Sequence, residues 1–218
     1  MERVKIFIGY DPKEAIAFHA LVQSIMSKAT IPFDIVPLDI KNLSMYTRKV
    51  DDKQSNEFSF TRFLVPYLSS YKGISIYLDC DMMLRTDIAE VLKEVNDKPV
   101  YLVKHNYIPK NKYKYLGAKQ YSYPRKNWSS FVVWNCSHDS NKLVTDSFVN
   151  TASAAKLHQF KFIKDDEIGE LNVRWNWLVG EYNDPPDDVK NVHWTLGGPW
   201  LKEYKDVDFA DEWRLNNA

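Results

Sequence analysis

Two aspartates stand one residue apart, Asp79 and Asp81, directly after the apolar run Ile74-Ser75-Ile76-Tyr77-Leu78. A buried strand holds its C-terminal end rigidly, and open α/β sheets place ligands beyond those ends. Two carboxylates at i and i+2 on a turn there can face one side and share a cation. Oxygen ligands suit hard divalent ions such as Mg2+ or Mn2+, and such an ion neutralises a departing diphosphate. An Asp-x-Asp turn also occurs as a plain polar turn with no ion. A second group follows late in the chain, His193 with Gly197, Gly198 and Trp200. A neutral imidazole is a third ligand that Mn2+ accepts, and paired glycines let backbone N–H groups approach phosphate oxygens. The plainer role for His193 is a hydrogen-bonded, partly buried side chain. The third group is Asp165-Asp166-Glu167. One of its carboxylates, Asp166 in preference to Asp165, suits proton transfer at a reacting hydroxyl. The same acids equally suit a helix start, where the dipole favours negative charge.

These residues need a scaffold, and the hydrophobic pattern predicts one. Residues 4–8 read as a strand, stopped by Gly9-Tyr10-Asp11-Pro12, and residues 13 to about 28 as a helix with Pro12 in its first turn. A second strand over 33–38 completes a β–turn–α–β opening, which argues for a mostly parallel α/β sheet flanked by helices. A helix is expected over 57–71, kinked at Pro66, and strands over 74–78, 100–103 and 130–134. Further helices are expected from Asp87, as cap, to about 95, and from 141 to about 155. A short strand near Asn191 and Val192 leads into His193. The chain reads as one domain, residues 1–103 forming a nucleotide-binding half and 104–205 an acceptor half. The tail from Asp206 leaves open a continuation into a longer multidomain chain.

Composition narrows the partners. Lys plus Arg and Asp plus Glu balance at 29 each among 218 residues, so no global field draws the chain to nucleic acid or an anionic membrane. The Lys- and Tyr-rich stretch from Lys104 to Lys126 reads as a solvated loop, with a polar or anionic partner as its alternative. Cys80 and Cys136 fit neither a disulfide framework nor a zinc site, which suggests a reducing, cytoplasmic setting. No secretory leader is expected before the first strand, and no apolar run reaches the roughly 20 residues that span a bilayer. Aromatic residues make up 14% of the chain; packing is the plainer account of them on composition alone, with stacking on sugars or bases as the alternative.

Taken in order, six segments resemble one family. They are Ile8-Gly9-Tyr10-Asp11, Phe60-Thr61-Arg62-Phe63, Tyr77-Leu78-Asp79-Cys80-Asp81, Ser129-Ser130-Phe131, Asp165-Asp166-Glu167, and His193 with Gly197-Gly198-Pro199-Trp200. Their succession from residue 4 to 202 is similar to that of GT-A glycosyltransferases related to family 8, the group of glycogenin and bacterial galactosyl- and glucosyltransferases. The resemblance implies a GT-A fold, a UDP-sugar donor, a manganese ion and a carbohydrate acceptor. It implies that Gly9, Tyr10 and Asp11 line a uridine pocket and that Arg62 lies near the donor sugar and diphosphate. Asp79 would touch ribose or metal, Asp81 and His193 would hold the metal, and Ser130 would lie beside the donor sugar. Asp165 or Asp166 would stand at its reactive face, with the acceptor entering a cleft rimmed by Trp128 and Trp194.

The chain also departs from that family. The lysine usual before the final Pro-Trp is Gly198 here, with Lys202 lying beyond Trp200, and the usual Asp-Gln-Asp is replaced around Lys164-Asp165-Asp166-Glu167. The second change leaves retention or inversion of the anomeric centre open. The first supports an alternative, a nucleotide-sugar-binding domain that has lost turnover. Haloacid-dehalogenase-type phosphatases also end an apolar strand in Asp-x-Asp, but near the chain start and with Thr or Val where Met83 stands.

Overall fold

The computed structural model describes residues 3–49, 54 and 56–217. Strand β1 (Val4–Gly9) runs into a 3-10 turn and helix α1 (Ala15–Met26), followed by β2 (Phe33–Leu38). Asp11 sets the entry to the helix, its carboxylate accepting the Lys13 N–H at 3.0 Å. The expected helix over 57–71 shrinks to a 3-10 turn, Thr61–Leu64, and one turn of helix α2 (Val65–Leu68). Pro66 lies in its first turn, where its missing N–H costs nothing. Ser70 and Tyr71 then take left-handed backbone and end it.

After β3 (Ile74–Leu78) comes β4 (Met82–Leu84), then a 3-10 turn capped by Asp87 where a helix was expected, and β5 (Val100–Leu102). Strand β6 (Phe131–Asn135) precedes two short helices, α3 (Asp146–Thr151) and α4 (Ala154–His158), where the pattern predicts one. The break lies at Ser153, whose side chain caps α4 by accepting the Lys156 N–H at 3.1 Å. A mid-helix serine has this alternative hydrogen bond to offer, and here it is taken. The chain ends with β7 (Ile168–Glu170), β8 (Trp177–Leu178), β9 (Asn191–His193) and α5 (Ala210–Asn216).

The strands form two sheets. The larger has the order β2-β1-β3-β6-β5-β7, with β6 antiparallel to both neighbours and the remaining pairs parallel. The sheet is therefore mostly parallel, as the β–α–β opening predicts. Its faces bury Ile6, Ile8, Ile76, Leu78, Val133 and Trp134 to 1% exposure or less. Of the smaller sheet, β4-β9-β8, the sequence shows only β9, as the short strand before His193; β4 and β8 are too short for a period of two. It has its own apolar cluster, including Trp177, Val192, Trp194 and Trp213. Helix α1 packs on β4, and Ser24 Oγ accepts the Leu84 N–H at 3.1 Å. Cys80 and Cys136 are free and buried. No helix among the described residues is long and apolar enough to cross a membrane.

Candidate active site

Asp79, Cys80 and Asp81 are the three residues between β3 and β4, so they lie on the seam between the two sheets. Antiparallel pairing of β4 with β9 sets Met82 opposite His193, and the Trp194 N–H donates to the Asp81 carbonyl at 3.0 Å. This ladder carries His193 from a distant part of the sequence to the aspartates. One ligand atom from each of Asp79, Asp81 and His193 lies within 4.8 Å of the others, and all three residues are buried.

The groups around this triad orient it. The Arg62 guanidinium donates to Asp79 at 2.9 Å and to the Ser129 carbonyl at 3.1 Å, and the Tyr77 hydroxyl donates to Asp79 at 2.6 Å. Ser130 Oγ donates to the Asn127 carbonyl and accepts from the Asn176 amide, both at 2.8 Å. That leaves the Asn176 oxygen 2.8 Å from His193 Nδ1. Nδ1 then carries the proton, and in the neutral ring Nε2 keeps its lone pair, 3.3 Å from Asp81 Oδ1.

A divalent ion fits these residues. Asp81 Oδ1 is buried with no hydrogen-bond partner among the described residues, and it faces the imidazole lone pair. Burial pushes the Asp79 carboxyl above the usual range, Arg62 draws it back and the Asp81 charge pushes it up again. A cation between the groups removes both the orphaned oxygen and the repulsion. The donor set of two carboxylate oxygens and one imidazole suits Mn2+ better than Ca2+.

The triad opens into a cleft of about 450 Å3, whose lining includes Arg62, Ser129, His158 and Thr195. A larger hollow of about 660 Å3 lies at the opposite, N-terminal ends of β1 and β3, beside Lys5, Lys72 and Ser75. The only metal-type cluster among the described residues is in the cleft, which makes the cleft the candidate site.

Other residues singled out from the sequence lie elsewhere or are engaged. Gly9 is buried, and a Cβ there would meet the Phe58 ring at 2.4 Å, so close packing demands glycine. Tyr10 is half-buried edge-on to Phe18, and Asp11 also accepts the Glu57 N–H at 3.1 Å. The Gly197 N–H donates to the Trp194 carbonyl at 2.9 Å, and a Cβ on Gly198 would meet Trp200 at 2.0 Å. Packing therefore accounts for Gly198, and the Gly197 N–H is already engaged. Asp165 is paired with Arg125 at 2.7 Å, its side chain 76% exposed. Asp166 is exposed, its carbonyl accepting from Lys98 at 2.9 Å. Neither lines the cleft. Trp194 is fully buried and belongs to the small core rather than to a cleft rim, because its ring fills the layer behind β9. Trp128 is half-buried, its Nε1–H donating to the His105 carbonyl at 2.8 Å.

Sequence reasoning passes over Asn176, Glu14 and His158. The first gives no signal, being an isolated amide whose role depends on what faces it. His158 lines the cleft with Nδ1 3.0 Å from Ser129 Oγ, and burial, then Arg62, lowers it to about 3. Glu14 lies behind the seam, where Tyr115 donates to Oε2 at 2.7 Å and Oε1 has no partner among the described residues. Burial pushes its carboxyl up to about 8, and the Asp81 charge adds to the rise.

A carboxyl raised above its unfolded value of 4.5 keeps its proton in the fold while the unfolded chain releases it. Its stabilising effect is full below that value and disappears as pH rises toward about 8. Melting curves of the metal-free protein from pH 5 to 9 should therefore decline, and Glu14→Gln should flatten the decline. Parallel curves for the two proteins would remove Glu14 as its source.

No protein-family model matches the chain. Protein CDI of Arabidopsis thaliana is 42% identical over 217 residues, covering 96% of this chain and 84% of that protein. Among solved structures, the apo form of the bifunctional glycosyltransferase WbbM aligns with a TM-score of 0.69 at 18% identity. That alignment covers 99% of this chain but only 50% of the WbbM chain. The galactosyltransferase LgtC, solved with donor and acceptor sugar analogs, aligns with a TM-score of 0.59 at 10% identity, covering 98% of this chain and 95% of its own. At such identities these likenesses establish the fold, and it is the GT-A fold that the motif order implies. On its sequence, the chain belongs to the family of Arabidopsis thaliana Protein CDI.

Proposed function

We propose that the chain is a glycosyltransferase, moving a sugar, a hexose or deoxyhexose, from a nucleoside-diphosphate donor of the UDP-sugar class to a hydroxyl of a carbohydrate acceptor. The observation that carries this reading is the buried Asp79, Asp81 and His193 group at the mouth of a cleft on a GT-A scaffold. Asp79, Asp81 and His193 would hold a divalent ion there, Mn2+ or Mg2+, which would supply Lewis-acid stabilisation of the leaving diphosphate. The protein's own contribution is orientation. Arg62 and Tyr77 hold the Asp79 carboxylate in one rotamer, while Asn176 and Ser130 fix the His193 tautomer. His158, kept neutral beside Arg62, presents an uncharged imidazole to the cleft.

The test is a donor screen that follows nucleoside diphosphate release from several UDP- and GDP-sugars, with and without Mn2+. Release from at least one UDP-sugar is expected, and excess chelator should abolish it. A second reading, binding without turnover, draws on the position of Asp165 and Asp166 outside the cleft. Tight UDP binding with no release or transfer from any donor would favour that reading instead.

A further inference from the structure

Within the cleft, three lysines are left over once the pairs described above are counted; Lys119 is exposed over the Tyr121 ring, and the other two are half-buried. Lys114 and Lys126 both line it together with Asp79, Asp81 and His193. Among the described residues, neither has a carboxylate within ion-pair distance. Each ammonium stands over an aromatic face, Lys114 at 5.3 Å from the Tyr115 ring and Lys126 at 5.1 Å from the Tyr123 ring, a weak partner for a full charge. Burial, and then repulsion from Lys114, lowers Lys126 to about 8. Holding two like charges in one partly buried cleft costs free energy that an anion between them would recover.

The segment that carries the lysines is tied down at several points. Glu181 accepts the Lys110 N–H at 3.0 Å and the Gln120 amide at 3.3 Å. The Tyr115 N–H donates to the Leu196 carbonyl at 2.8 Å and its hydroxyl to Glu14 at 2.7 Å. Lys126 Nζ donates to the Tyr121 carbonyl at 3.1 Å. The lysines are thus presented from a braced loop. Lys202, the other cation that the sequence offers for this task, is exposed and does not line the cleft.

We infer that Lys114 and Lys126 form the anion-binding part of this site and grip the donor's diphosphate beside the carboxylate–imidazole group. The inference rests on the nucleotide-sugar reading above. It gives the loop between β5 and β6 the task of neutralising the leaving group, in place of a cation near the C-terminal Pro-Trp.

Calorimetric titration with UDP, UMP and GDP in the presence of Mn2+ tests this on wild type, Lys114→Gln, Lys126→Gln, Lys126→Arg and Lys202→Gln. Each glutamine variant is expected to bind UDP about ten- to a hundredfold more weakly, the value of a charge-assisted contact. UMP, which lacks the second phosphate, should lose less. Lys126→Arg should keep most of the affinity, and Lys202→Gln all of it. In a parallel readout, UDP with Mn2+ should protect the loop of the wild type from trypsin. Wild-type UDP affinity in both glutamine variants, or a loss confined to Lys202→Gln, overturns the inference alone. A wild type that binds neither UDP nor GDP overturns the donor reading and this inference with it.

Discussion

Asp81→Ala is expected to lower sugar transfer by about a thousandfold or more at saturating Mn2+, the several kcal/mol that a metal ion contributes to leaving-group stabilisation. The fold should survive. Asp81 Oδ1 has no hydrogen-bond partner among the described residues to lose, and after burial its charge helps push the Asp79 carboxyl upward. In metal-free buffer the variant should melt at or above the wild-type temperature. Added Mn2+ should raise the melting temperature of the wild type and leave that of the variant unchanged, since only a bound ion stabilises by mass action. Two assays therefore bear on one residue. Full transfer by the variant, or an undiminished Mn2+ shift, would mean that the ion sits elsewhere or is not used.

Arg62→Met should act on stability more than any other single change near the cleft. The guanidinium and its partner Asp79 have side-chain exposures of 7% and 11%, so the change leaves a buried carboxylate without its counter-charge. Breaking such a pair costs about 3–5 kcal/mol, equivalent to a melting temperature lowered by about 10 °C in a chain of this size. Lysine would not serve as a substitute, because one point charge cannot reach Asp79 and the carbonyls of Ser129 and Phe58 together. The double variant Arg62→Met/Asp79→Asn should recover most of the loss. If the single variant melts with the wild type, Asp79 is already protonated in the fold and the ion pair contributes nothing.

How far the sequence foretells this molecule depends on the range of each interaction. The first parallel unit is legible because an apolar run, a Gly-Tyr-Asp-Pro turn and an amphipathic helix are local patterns, and the sheet follows from them. The Asp79–Asp81 pair is legible for the same reason, lying at the end of a run of strand residues. Helix lengths fail where two local preferences compete, at Ser153 between α3 and α4 and after α2 at Ser70 and Tyr71. Apart from β9, the small sheet fails because a three-residue strand such as β4 has no period, and its existence depends on partners far along the chain. Gly197 and Gly198 draw attention as phosphate contacts because a sequence does not reveal that Tyr204 and Trp200 press against them. The basic stretch from Lys104 to Lys126 reads as a solvated loop because nothing local tells that its lysines turn into a cleft.

The three-residue connection between the sheets has a mechanical corollary. Met82 and His193 are rungs of one ladder and the Trp194 N–H holds the Asp81 carbonyl, whereas the Asp79 N–H donates to the Ser130 carbonyl beside β6. Pulling the small sheet away from the large one would therefore part Asp81 and the imidazole from Asp79 in the same stroke. An ion seated there would act as a rivet through both layers. Chelation should then register as faster amide exchange along β4 and β9, with β1 and β2 undisturbed.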